Sequence, residues 1–471
     1  MSFTTVSFLI FCPIVIIFYW ILPHKYRWFL LLCASLYFYM SWSIKYIVLI
    51  LFTILVSWGA GVTLEKTNNV SKRKAILGFS AVVCIGILLI YKYLGFLLDS
   101  IWGILGVFSI QLSPVTIDLI LPVGISFYTF QTLSYVIDVY KGEILPEKHL
   151  GKYATFVSFF PQLVAGPIER ASHLLPELNG EKSFDYNQAT YGLKLMAWGF
   201  FKKFAIADVL AIYVDTVYAS VENYVGIDLL LVIFFFSIQI YCDFSGYSDI
   251  AIGTAKLMGI ELMVNFKSPY FSSSLKEFWS RWHISLSTWF RDYIYIPMGG
   301  NRCGEKRQRF NLFFTFLVSG LWHGANWTYV AWGGLHGFLQ IIENKVRKKM
   351  NVGKIILVIF TFLICSLLWI LFRANSFADA LYVFSHSLDG IRSPKTYIKS
   401  QLGISKGEAL LIGISILLLA IYDMASLKVD VIDWISRQKV VLRWSIYFAF
   451  SVIIIILFPV VQSTSFIYFQ F

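Results

Sequence analysis

The stretch Leu321-Trp322-His323-Gly324-Ala325-Asn326-Trp327 sets an imidazole and a carboxamide inside one of the longer apolar runs of the chain, which begins near Phe313. Polar groups are costly in hydrocarbon, so they are functional candidates by default. Neutral imidazole is the side chain best matched to removing a hydroxyl proton near neutral pH. Read as one helix, the run places His323 and Asn326 at i and i+3 on a shared face. There the carboxamide orients the ring or polarises a carbonyl. The competing reading is a structural histidine hydrogen-bonded between helices. Trp322, Gly324, Trp327, Gly333, Gly334 and His336 crowd the same region. Small residues among large aromatics suit a shaped tunnel as well as tight helix packing. His336 reads as structural.

Three further places carry polar groups. In residues 274–302, SLKEFWSRWHISLSTWFRDYIYIPMGGNR, Glu277 and Arg281 are spaced to pair, and Trp279, Trp282 and Trp289 interleave with cations. One reading is a helix anchored at the cytoplasmic membrane interface by tryptophan. The other is the entrance for a phosphate-bearing donor, which arginine recognises well. His283 then has a donor-binding or supporting role. In YCDFSGYSDIAIG, residues 241–253, Asp243 and Asp249 flank Gly246. Paired carboxylates do acid–base work or hold a cation; alternatively they cap helix termini, the reading favoured for Asp249 and left open for Asp243. Gln131, Ser134, Tyr135 and Asp138, in residues 121–142, read as tunnel lining or as glue between helices. A P-loop, a dinucleotide-binding glycine pattern, HExxH and a nucleophile elbow are all missing from the sequence. No metal site is expected.

The elements that must hold these residues are membrane helices. Hydrophobic residues make up 58% of the chain and charged ones 14%, against about 25% charged in soluble domains. Apolar segments fall near 7–22, 28–42, 45–64, 76–98, 115–137, 190–214, 226–242, 311–332, 334–343, 355–372, 408–425 and 444–463. The expected fold is all-α, a polytopic membrane protein with about 11–13 spans plus re-entrant or interfacial helices. Residues 1–471 read as one membrane domain. The first apolar run lacks a basic leader and a small-residue cleavage site, so it reads as an uncleaved span. No internal repeat stands out, which weakens an inverted-repeat transporter.

The net charge of +12 does not point to nucleic acid, because the cations cluster between apolar runs. Residues 93–140 and 204–255 contain no Lys or Arg, whereas Lys267–Arg309 is dense in them. The positive-inside rule puts that segment in the cytoplasm and the N-terminus outside. The cations of 373–407, expected outside, break the pattern. The six cysteines are scattered and read as thiols. GKYATFVSFFPQLVAGPIER, residues 151–170, is apolar but interrupted by Pro161, Gly166 and Pro167. It reads as a broken or re-entrant element, allowed at membrane depth where protein or water satisfies its backbone.

FSGYSDIAIG, NFKSPYFSSSLKEFWSRWHISLSTWFRDYIYIPMGGNR and GLWHGANWTYVAWGGLHG closely resemble the membrane-bound O-acyltransferase family. LPVGISFYTFQTLSYVIDVY and FFPQLVAGPI, upstream, resemble the same bacterial subgroup, which O-acetylates alginate, cellulose and peptidoglycan. The matching blocks fall within residues 120–373, the implied catalytic core. The resemblance implies a helical bundle around a central tunnel. It implies that His323 is the essential catalytic residue and that His283 lies on the cytoplasmic approach; beside it, Arg281, Trp282 and Asp243 read from their residue types as donor-binding or supporting residues. It implies acetyl-CoA as donor substrate, no permanently bound cofactor, a bacterial cytoplasmic membrane location and an extracytoplasmic polysaccharide acceptor. A periplasmic or extracellular SGNH-type acetyltransferase is the implied partner. Related systems carry a Phe-x-Tyr-x-x-Phe tail whose tyrosine is proposed to accept the acyl group. By that resemblance Tyr468, in the terminal FIYFQF, is a transient acyl carrier; the plain reading is an interfacial aromatic anchor. The nearest alternative is D-alanyl transfer from a carrier protein to a cell-envelope polymer. Beyond it lies a non-catalytic transport or export component.

Overall fold

The computed structural model describes residues 1–108, 119, 121–163, 166–346, 352–390, 400–457 and 466–467. All regular structure among them is helical. Five helices are long and apolar enough to cross a bilayer: Ile44–Glu65, Val70–Val107, Ile227–Lys256, Lys354–Arg373 and Lys406–Ser426; two shorter apolar ones are Val6–Ile21 and Val440–Val452. The expected set of about a dozen shrinks by this measure for local reasons. The run at 311–332 breaks between His323 and Trp327, and residues 190–214 carry two buried lysines within a wide π turn, Lys202–Ala207.

The Lys354–Arg373 helix shows why the surroundings are lipid. Ile355, Ile356, Ile359, Phe360, Leu363 and Leu367 are exposed, while Thr361, Cys365, Leu368, Trp369 and Phe372 are buried. An exposed apolar stripe of that length is unfavourable in water and at home in acyl chains. The Ile227–Lys256 helix has 78% of its most apolar window buried, as expected of a central helix apolar on all sides.

The chain forms two compact units, one of residues 1–193 and 251–263, the other of residues 194–250 and 264–471. In the first, Ile125–Lys141 runs between two left-handed glycines, Gly124 (φ 73°) and Gly142 (φ 78°). At Gly124 glycine is required, because a Cβ would also sit 2.7 Å from Leu163 O. The polar residues of this helix act as glue. Gln131 Nε2 donates to Phe156 O (2.9 Å), and Tyr135 Oη accepts from Glu147 N (3.2 Å). The broken character expected for 151–170 is present as Leu150–Ser158 and Phe160–Leu163. Side chains satisfy the break: Phe160 N donates to Ser35 Oγ (3.0 Å), and Gln162 Nε2 to Phe156 O (2.9 Å).

The second unit holds His283 and His323. Its frame is a helical hairpin, Glu305–His323 and Trp327–Val346, closed by glycine on glycine. A Cβ on Gly320 would run into Tyr329 O and stand 3.0 Å from Gly333 Cα. One on Gly333 would run into Phe316 O and stand 2.9 Å from Gly320 Cα. Backbones come this close only where side chains are missing.

Candidate functional site

His323 is the last residue of its helix. Gly324 leaves in an extended conformation (φ −162°, ψ 154°). Asn326 then caps the next helix: its Oδ1 accepts from Thr328 N (3.0 Å) and its Nδ2 donates to Asn375 O (3.2 Å). The expectation that His323 and Asn326 share one helix face is therefore wrong. Helical periodicity does not cross the Gly324–Asn326 break, and the carboxamide is committed to backbone at Thr328 and Asn375.

The His323 side chain is 2% exposed. Its ring stands 5.0 Å from Trp322, 5.1 Å from Trp332 at 90°, and 5.3 Å from Phe372. Trp332 stacks on Trp369 (5.5 Å) and touches His336 (4.9 Å). His336 Nδ1 lies 3.3 Å from the Trp279 indole N–H, which donates to it. His336 thus buttresses the aromatic wall, as the structural reading has it.

His283 joins the short helices Leu275–Arg281 and Ile284–Phe290 in a left-handed conformation, φ 44° and ψ 54°. Only two non-glycine residues take positive φ among those described, the other being Ser268. For a histidine this backbone is strained, and such strain persists where the surroundings enforce it. Asn265 supplies part of that enforcement. Its O accepts from Ile284 N (3.0 Å), and its Oδ1 accepts from Ser285 Oγ (2.7 Å). The fully buried His283 ring lies 4.6 Å from Phe244 and 6.2 Å from Trp322, the residue before His323. Outside the spanning helices, burial pushes its pKa down from 6.5 to about 3. The ring is neutral at physiological pH and offers no cation to a phosphate.

Trp279, Trp282 and Trp289 were expected at a membrane interface; the structure buries all three. Trp282 packs on Trp369 (5.1 Å), Phe266 (5.2 Å) and Phe278 (5.4 Å). The interface reading assumed one continuous amphipathic helix. The turn at His283 instead folds two short helices inward. Arg281 does pair with Glu277 (2.7 Å), as the spacing indicated. Its Nη1 is buried with no hydrogen-bond partner among the described residues.

Asp243 and Asp249 sit within the Ile227–Lys256 helix, so the cap reading of both fails. They face two lysines the sequence reading overlooked. Lys202 Nζ reaches Asp249 Oδ2 (2.6 Å) and Ser245 Oγ (2.8 Å). Lys203 Nζ lies between Asp243 Oδ1 (2.6 Å) and Asp208 Oδ1 (2.8 Å). Charges this deep are stable only when paired. The signal was available: Lys202 and Lys203 interrupt an apolar run, and such residues seek partners. Tyr241 Oη also donates to the buried Asp423 Oδ2 (2.7 Å). Tyr468 lies outside the described residues.

The family model of the membrane-bound O-acyltransferases matches residues 148–372. A probable alginate O-acetylase of Pseudomonas putida is 40% identical over 382 residues, 80% of this chain and 78% of the relative. A peptidoglycan O-acetyltransferase of Helicobacter pylori is 34% identical over 387 residues, 75% of this chain and 72% of the relative. A teichoic acid D-alanyltransferase of Streptococcus thermophilus is 31% identical over 276 residues, 55% and 66% of the two chains. The matched residues take in the hairpin that buries His323, the turn at His283 and the lysine–aspartate pairs of residues 202–249. The chain belongs to the membrane-bound O-acyltransferase family.

Proposed function

We propose that this acyltransferase takes an acetyl group from cytoplasmic acetyl-CoA and passes it across the bacterial cytoplasmic membrane to an extracytoplasmic polysaccharide, with an SGNH-type transferase as partner. The carrying observation is the burial of His323 at the end of the Glu305–His323 helix, walled by Trp322, Trp332 and Phe372. A base held there suits a donor and an acceptor arriving from opposite sides. The likeness to alginate and peptidoglycan O-acetyltransferases favours an acetyl group and a polysaccharide. The cation-rich 267–310 segment favours a cytoplasmic donor entrance and an N-terminus outside. Within it, Arg281 Nη1 suits an incoming phosphate of CoA.

In this mechanism His323 removes the proton of an acceptor hydroxyl, that of Tyr468 or of the polymer. The oxygen attacks the thioester carbonyl, and the carbon–sulfur bond breaks as the imidazolium returns its proton to the leaving thiolate. Base catalysis of this kind contributes about 10²–10⁴ in rate. The developing oxyanion needs a donor. Asn326 is engaged elsewhere. The buried Trp332 indole N–H has no hydrogen-bond partner among the described residues and belongs to a ring 5.1 Å from His323, so it replaces Asn326 as the candidate.

The test is purified protein in nanodiscs with radiolabelled acetyl-CoA, comparing wild type with Tyr468→Phe. Label on the wild type and none on the variant supports the relay. Label on both removes Tyr468 as carrier. Consumption of a D-alanyl carrier-protein thioester in place of acetyl-CoA moves D-alanyl transfer to the front.

A further inference from the structure

Phe466 and Ile467 are buried against a helix more than two hundred positions earlier in the chain. Phe466 is fully enclosed, its ring 4.4 Å from Tyr247 and 5.8 Å from Phe244. The Ile467 N–H donates to Asp243 Oδ2 at 2.7 Å. The other oxygen of that carboxylate takes Lys203 Nζ at 2.6 Å, and Lys203 also reaches Asp208 at 2.8 Å. Asp243 therefore divides its two oxygens between a buried cation and the main chain of the tail. A hydrogen bond from an N–H to a carboxylate oxygen is among the stronger kinds. The rings of Phe244 and Tyr247 read an aromatic side chain, and Asp243 fixes the register one residue later. From the slot, ring contacts continue to the base: Phe244 to His283 (4.6 Å), His283 to Trp322 (6.2 Å) and Trp322 to His323 (5.0 Å).

We propose that Asp243 is a positioning residue, forming with Phe244 and Tyr247 a latch that grips Phe466–Ile467, the residues that precede the proposed acyl acceptor Tyr468 in the sequence. The purpose of the latch rests on the proposed acceptor role of Tyr468; its grip rests on the contacts themselves. Lys203 Nζ, 2.6 Å from Asp243 Oδ1, ties the carboxylate into the ion cluster. The donor-binding role expected for Asp243 gives way to this one.

The test is amide hydrogen exchange of the full-length protein in nanodiscs, read on the C-terminal peptide and, as reference, on the peptide covering 305–323. Asp243→Ala should speed exchange of the tail about tenfold, the loss of one charge-assisted bond, and leave the reference unchanged. Phe466→Ala, which keeps the ion cluster whole, should loosen the tail likewise, and the double variant should add little, because both residues act through one latch. Asp208→Asn removes the other partner of Lys203 and should leave the tail protected. In the labelled acetyl-CoA assay, Asp243→Ala should lower transfer to the chain about tenfold while thioester hydrolysis continues. The latch is overturned if tail exchange is unchanged in Asp243→Ala or Phe466→Ala, or if Asp208→Asn loosens the tail equally, which would reduce Asp243 to charge balance. A wild type that ignores acetyl-CoA would count against the proposed donor, and the exchange data would still judge the latch.

Discussion

Around His323 stand the rings of Trp322, Trp332 and Phe372, and the imidazole they enclose is the group proposed to take the acceptor proton. Trp332 contributes both a wall and a buried N–H. Trp332→Phe keeps most of the wall and removes the donor; kcat should fall about 10²-fold with KM little changed, the pattern of a bond made in the transition state. Equal losses in kcat and affinity would indicate packing alone. His283 gives a pH signature. Its folded pKa of about 3 lies below the ordinary 6.5. Between those values the unfolded chain binds a proton that the folded chain refuses, so stability falls as pH drops through that window. In detergent the wild-type Tm should decline from pH 7 to pH 5 more steeply than that of His283→Leu. Parallel declines would mean that His283 is not the group responsible.

At the scale of elements, the glycine-on-glycine hairpin sets where His323 points. A valine at Gly320 must displace Tyr329 O and the Gly333 backbone. Gly320→Val should cost about 1–3 kcal/mol by overpacking and abolish transfer, whereas Gly334→Ala, with its nearest neighbour 3.5 Å away at Leu317 Cδ1, should be tolerated. Thermal melting and activity of the two variants check this. The same hairpin shows what could be read from residue order. His323, its apolar setting and the broken element after Leu150 were legible, because cost of burial and helix breaking are local properties. The stop after His323 was not. The apolar run around it reads as one helix, while Gly324 and Asn326 are residues that end and cap helices, and the cap formed by Asn326 marks the break. Trp279 and Trp282 were placed at an interface because aromatics beside cations fit one. Their burial depends on the His283 turn, which local propensity does not encode. Lys203 and Asp243 stand forty positions apart, so their pairing is a tertiary fact, although each buried charge announced a missing partner.

At the scale of the molecule, exposed apolar stripes and charge placement support the proposed orientation in the bilayer. Cys303 is exposed within the cation-rich segment, and Cys33, the other exposed thiol among the described residues, lies on an apolar helix. In intact cells of a Cys33→Ser variant, a membrane-impermeant maleimide should leave Cys303 unlabelled until the membrane is permeabilised. Labelling of intact cells would invert the proposed topology. The central claim is that a buried imidazole removes the acceptor proton, and the most direct measurement is the rate of acetyl transfer from labelled acetyl-CoA by His323→Ala beside wild type, with Tm recorded for both. The account predicts a loss of about 10²–10⁴ in rate with a melting temperature close to wild type. A variant that folds and transfers acetyl at nearly the wild-type rate would contradict it.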